Sequence, residues 1–166
     1  MKKFIALLTL ALMLVGLVGC AAEKEPASKT FKKGEYFSIT LNENFEVLTG
    51  EDAYEGYYVC YSDKYAHVLV LREAFDELEG LEDVSLEDYI EASMEFNEHD
   101  YDGPIDMGDY QYSRYTEIED GETVNYMVAY YKGADGFYAI NFLTYEENMD
   151  KYSSLFSEWA GNVNVG

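Results

Sequence analysis

Basic residues are scarce: 11 Lys and Arg stand against 33 Asp and Glu in 166 residues, for a formal charge of −22. Nucleic-acid binding neutralises phosphates with Lys and Arg, so this deficit excludes it. The same deficit disfavours lying flat on an anionic bilayer. It favours cationic partners, either divalent metals or basic peptide and protein surfaces. Histidine is as sparse, with only His67 and His99, far apart in sequence. That leaves no paired-histidine metal helix. No nucleophile-elbow glycine pattern, phosphate loop or dinucleotide loop is present. Among so many acids, carboxylate pairs say nothing about glycosidase-type chemistry. No internal repeat or low-complexity tract occurs. No apolar run reaches the about 20 residues that a permanent membrane-spanning helix takes. Cysteine is limited to Cys20 and Cys60.

The chain begins Met1-Lys2-Lys3, then runs apolar from Phe4 to Val18, broken only by Thr9 and Gly16. A short basic start, a brief apolar segment and small residues form the secretory signal pattern. Leu17-Val18-Gly19-Cys20 resembles the lipobox of bacterial lipoproteins. The resemblance implies a signal peptide over residues 1–19 that is removed, and a lipid (palmitate-type) anchor on Cys20. The thiol is the side chain that forms the thioether to diacylglycerol, and the small residues before it admit the signal peptidase. Two acyl chains anchor stably, because each buried methylene contributes about 0.8 kcal/mol. The mature chain is therefore expected to be extracytoplasmic and lipid-anchored to the cell membrane. Cys60 is then alone, so stability must come from the core. Its setting, Tyr57-Tyr58-Val59-Cys60-Tyr61, suits a small buried hydrophobe.

After residue 19 the chain holds nine basic and 33 acidic residues, a formal charge of −24. Residues 21–33 sum to +2, whereas residues 34–166 sum to −26. The expected organisation is a lipidated tether over residues 20–34, read as a flexible leash, and one domain over residues 35–166. Phe37, Ile39 and Leu41 alternate as one face of a strand, and Phe45–Leu48 reads as another. Tyr57–Tyr61 and His67–Leu71 form two more, joined at Ser62-Asp63-Lys64 as a hairpin. Glu73 to Asp83 reads as a loop. Ser85 with Asp88 resembles a capping box, and Leu86, Tyr89, Ile90 and Met94 lie on one helical stripe. Three strands follow, Ile105–Ile118, Thr123–Tyr131 and Phe137–Leu143, the first pair joined tightly at Asp120-Gly121. Thr144 with Glu147 predicts a second capping box. It opens a last helix that buries Met149, Tyr152, Leu155, Phe156 and Trp159 and stops at Gly161. The fold class is α+β: a mostly antiparallel sheet of about six or seven strands packed with two helices.

Three stretches carry a family resemblance: Tyr36-Phe37-Ser38-Ile39-Thr40-Leu41, the helix start Ser85-Leu86-Glu87-Asp88-Tyr89, and Gly136-Phe137-Tyr138-Ala139-Ile140-Asn141-Phe142 before the final helix. In order and pattern the mature chain resembles the PsbP-like superfamily, which includes many lipobox-bearing bacterial proteins. Asn42-Glu43 stands where relatives often carry a proline. The resemblance implies an α/β sandwich with a binding or assembly-accessory role, and it transfers no catalytic residues.

Two constellations are candidates for ligand binding. From Glu98 to Asp109 the acids Glu98, Asp100, Asp102, Asp106 and Asp109 fall at positions 1, 3, 5, 9 and 12 of a loop with Gly103 at position 6. This spacing resembles an EF-hand calcium loop, in which alternate oxygens wrap a hard cation. The loop departs from that pattern in Glu98 at the first position and Asp109 at the last. Tyr110, Tyr112 and Arg114 share one face of a strand, and Tyr126, Val128 and Tyr130 one face of its neighbour. Such rings suit a contact surface for a basic protein or a cell-wall glycan, or else they form core. Arg114 among acids is expected to form an internal ion pair. The leading expectation is a lipid-anchored binding or accessory module without a catalytic centre. A weak calcium site at Glu98–Asp109 is the alternative, and an envelope hydrolase a third. The sequence carries no signal for oligomeric state.

Overall fold

The computed structural model describes residues 26–77 and 80–166; the expected signal peptide over residues 1–19 and the expected lipid site at Cys20 lie outside the described residues. Among the described residues there are ten strands and two α-helices. Strands β1 (Ser28–Lys33), β2 (Phe37–Asn42), β3 (Glu46–Val47), β4 (Val59–Ser62) and β5 (Ala66–Ala74) precede helix α1 (Leu86–Asn97). Strands β6 (Asp102–Asp106), β7 (Gln111–Glu119), β8 (Glu122–Lys132) and β9 (Gly136–Tyr145) lead to helix α2 (Met149–Ala160) and β10 (Val163–Asn164). Seven strands form one sheet in the order β3-β4-β5-β9-β8-β7-β6, and three form another in the order β1-β2-β10. Every pairing is antiparallel. The α+β class is as expected. The second sheet is not, because β2 leaves the main sheet to pair with β1 and β10.

That second sheet corrects the reading of residues 21–33 as a leash. Residues 28–33 form β1, with Phe31 opposite Ile39. Phe31 is 7% exposed and its ring lies 5.0 Å from that of Tyr61. One aromatic in a lysine-rich segment shows no periodicity by itself; its partner strand supplies the other half of the pattern. Residues 28–33 thus belong to the fold.

The main core fills the space between the two sheets and α2. Phe37, Ile39 and Leu41 of β2 meet Val68, Val70, Ile140 and Phe142 of the large sheet, and α2 adds Tyr152, Phe156 and Trp159. Tyr131 closes one end by donating its hydroxyl to the Ala160 carbonyl at 2.7 Å, which satisfies a group the helix terminus leaves free. On the other face of the large sheet, α1 lays Tyr89 and Ile90 over Val128, Tyr130, Phe137 and Ala139. Tyr89 stacks on Phe137 at 4.2 Å with 4° between planes.

The two capping predictions part ways. Ser85 caps α1, accepting from the Asp88 amide at 3.0 Å and donating to the Asp88 carboxylate at 2.7 Å. Thr144 does not start α2. It remains in β9, paired with Ala66 on one side and Asn125 on the other, and donates its hydroxyl to the Tyr65 carbonyl at 2.6 Å. Strands on both sides hold it extended, so α2 starts later, after a 3-10 turn at Glu146–Asn148.

Candidate functional site: a tyrosine-lined groove

The Asp120-Gly121 turn builds the site. Both residues have positive φ, 52° and 91°, as a two-residue hairpin turn of this hand requires. The turn sets Glu119 opposite Glu122, and the ladder then sets Tyr115 opposite Tyr126. Directly opposed side chains stand close enough to stack; the two rings lie 4.5 Å apart at 7°. Helix α1 ends at Glu98, whose left-handed φ of 55° turns the chain back over the sheet. His99 therefore lands on Tyr115 at 4.3 Å and 7°, making three parallel rings in a row. Tyr101 meets both His99 and Tyr115 edge-on.

These rings stand where α1 leaves the sheet uncovered. The result is a groove of about 470 Å³, within the range of small-ligand sites. Tyr54 and Tyr57 come in from the segment before β4, and Asn141 and Leu143 from β9. Three carboxylates line it, Glu55, Glu117 and Glu119, and no Lys or Arg does. Glu117 lies 3.2 Å from His99 Nδ1, and Tyr126 donates its hydroxyl to Glu119. Burial pushes the phenols of Tyr115 and Tyr126 up; Glu117 adds to this at Tyr115, and the hydrogen bond to Glu119 adds at Tyr126. Tyr101 rises for the same first reason, with Tyr130 next. The hydroxyls thus remain neutral hydrogen-bonding groups far above neutral pH. They are poor proton donors for acid catalysis.

Of the two tyrosine faces expected from sequence, Tyr126, Val128 and Tyr130 line the groove, whereas Tyr110, Tyr112 and Arg114 do not. Tyr112 pairs with Ala129 and Arg114 with Met127, so Tyr110, Tyr112 and Arg114 face away from Tyr126, Val128 and Tyr130. Tyr110 is 6% exposed and stacks on Tyr131 at 5.3 Å in the main core. Arg114 makes no ion pair among the described residues; its guanidinium lies 5.3 Å over the Tyr112 ring. The groove is lined from β7 by the alternate set, Tyr115, Glu117 and Glu119. The two-residue turn carried that information, since counting back from it pairs Tyr115 with Tyr126.

The acidic stretch Glu98 to Asp109 does not form a closed loop. Glu98 caps α1, while Asp102 to Asp106 form the exposed edge strand β6. Gly103, at the loop's sixth position, serves a register irregularity with β7. It has φ 123°, and a Cβ there would meet the Tyr112 carbonyl at 2.9 Å. Asp106 accepts from the Gly108 amide at 2.8 Å in the turn to β7. Among the described residues no three His, Cys, Asp or Glu side chains converge as a metal requires.

Cys60 and His67 belong to neighbouring strands. Cys60 faces Leu69 and His67 faces Ser62 across the ladder. Burial pushes the Cys60 thiol up and the His67 imidazole down. The cavity beside His67 is only about 40 Å³, room for water but not for a substrate.

The architecture is a PsbP-like α+β fold. It is similar to cyanobacterial PsbP (CyanoP) from Synechocystis sp. PCC 6803, with a TM-score of 0.51 and 13% identity, covering 91% of this chain and 99% of that one. It is also similar to the Ran-binding protein Mog1p of Saccharomyces cerevisiae, with a TM-score of 0.54 and 12% identity over 84% and 96% of the two chains. A protein from Bacteroides thetaiotaomicron VPI-5482 has a TM-score of 0.50 and 11% identity; the match covers 71% of this chain and 42% of that one. At these identities the likeness is one of fold. No protein-family model and no curated protein matches the chain.

Proposed function

We propose that this chain is a lipid-anchored, extracytoplasmic accessory module that holds a partner in the tyrosine groove and performs no covalent chemistry. The observation that carries the reading is the His99–Tyr115–Tyr126 ring stack on the uncovered part of the large sheet. Amphipathic rings suit contact surfaces because one body excludes water while the tip stays hydrogen-bonded. The neutral phenols, the buried thiol and the closed surroundings of His67 fit binding better than turnover. Use of a similar fold by a Ran-binding protein is consistent with a binding role. The Leu17–Cys20 lipobox supplies the anchor.

Photo-crosslinking in intact cells tests this. A photoreactive residue at Tyr54 or Tyr126 gives one discrete adduct, whereas the same residue at Tyr112, on the opposite face, gives none. Equal adducts from both faces, or none from the groove, overturn the groove as the binding face. Mass spectrometry of the protein purified from membranes finds a diacylglyceryl group on Cys20 as the first residue; an unacylated amino terminus refutes the lipid anchor.

A further inference from the structure

We infer that the groove's occupant is cationic: an arginine- or lysine-bearing peptide segment laid against the ring stack, with its charged heads reaching Glu117 and Glu119. This rests on the reading of the groove as the binding face and adds the chemistry of the ligand.

Three features of the site select a cation over a neutral sugar or an anion. The lining is charged with one sign only, by Glu55, Glu117 and Glu119, with no compensating Lys or Arg. Glu117 and Glu119 stand two residues apart on β7, on the same side of the strand as Tyr115. Each is met by a groove side chain, His99 or Tyr126, at one point. A carboxylate has two oxygens and about four lone-pair sites, so each keeps acceptor capacity for a guanidinium or ammonium. The aromatic faces add to this. A ring's negative face attracts Lys and Arg; stacking covers Tyr115, which leaves the outer faces of His99 and Tyr126, with Tyr54 and Tyr57 nearby.

The wider field acts the same way. Residues 34–166 carry a formal charge of −26, which raises the local concentration of any cationic segment before contact. A volume of about 470 Å³ holds a few side chains and not a folded domain. An extended basic segment satisfies both limits.

The test uses the full-length chain in dodecyl maltoside micelles and a fluorescently labelled, end-blocked tetra-arginine peptide, with binding read by anisotropy. Saturable binding is expected, weakened at least 10-fold between about 0.01 and 1 M salt as the Debye length falls from 30 to 3 Å. Tyr126→Leu and Glu119→Gln each weaken it about 3- to 10-fold, while Tyr112→Leu on the opposite face changes nothing. Tyr126→Phe keeps the ring and retains affinity within about 2-fold. Near-ultraviolet circular dichroism confirms that each variant is folded. Equal binding of tetra-glutamate, or tetra-arginine binding untouched by both groove substitutions, overturns the cationic occupant. Tyr126-dependent binding of a neutral chitotetraose also overturns it, yet leaves the groove as a binding face. Loss of the groove crosslinks together with the absence of any groove-dependent ligand removes both.

Discussion

Asp63 joins two distant parts of the chain, and its removal is predicted to cost far more than a turn residue usually does. One carboxylate oxygen accepts from the Tyr65 and Ala66 amides, both at 2.7 Å, and shapes the β4–β5 hairpin. The other accepts from the Tyr152 hydroxyl of α2 at 2.9 Å, 89 residues away. Hydrogen bonds to charged groups contribute about 1.5–3 kcal/mol each where buried, and less where water can replace the partner. The Tyr65 amide is exposed and the Ala66 amide partly so, which puts that pair at about 1 kcal/mol each. Tyr152 is 2% exposed and its bond to Asp63 is partly buried, so losing that partner costs more than losing an exposed one. Asp63→Ala therefore costs about 3–4 kcal/mol in all, and Tyr152→Phe about 1–2. Asp63→Asn, which keeps an acceptor for the amides, falls between. At a urea slope of about 1–3 kcal/mol/M the alanine variant lowers the unfolding midpoint by more than about 1 M. In a double-mutant cycle, Asp63→Ala and Tyr152→Phe couple by about 1 kcal/mol. A midpoint shift below about 0.3 M, or strictly additive single effects, would refute the link between hairpin and helix.

Alkaline pH destabilises this fold through its buried tyrosines. Burial pushes Tyr61 up to about 12, and Tyr131, Tyr138 and Tyr152 rise further for the same first reason. Unfolded phenols ionise near 10, so above that pH the unfolded state binds fewer protons than the native one and stability falls as pH rises. Phenolate absorbance is expected to appear cooperatively with loss of near-ultraviolet dichroism between about pH 10 and 12; independent titration near 10 with the fold intact would contradict it. Phe31→Ala costs about 3 kcal/mol in chemical denaturation if β1 belongs to the fold, whereas a leash residue would cost nothing. About 10 mM calcium, roughly tenfold above the dissociation constants of weak extracellular sites, leaves the melting temperature unchanged because the Glu98–Asp109 acids lie along a helix cap and an edge strand. A rise that Asp100→Asn abolishes would restore the calcium loop.

Helix and strand identities were legible wherever the pattern was local. The Ser85 cap needs only its own turn, and the stripe from Met149 to Trp159 needs only a helix. The alternation of Phe37, Ile39 and Leu41 likewise announces a strand with one buried face. Phe31 was not legible, because a strand holding one apolar residue is recognised only by its partner. Thr144 and Glu147 fit a capping box by spacing alone, but a strand paired on both sides outweighs a side-chain cap worth about 1 kcal/mol. Near β7, Tyr110, Tyr112 and Arg114 stood out in the sequence and the alternate set, Tyr115, Glu117 and Glu119, was passed over, because a period of two does not say which face will be covered.

The sequence by itself determined the acidic charge, the α+β class and, through the Asp120-Gly121 turn, the register that opposes Tyr115 and Tyr126. These properties depend on residues close together in the chain. Only the tertiary structure decided which side of the large sheet became core and which stayed open as the groove. That outcome turns on where α1, α2 and the β1-β2-β10 sheet settle, since burying apolar surface is a contest among distant segments with no local signature.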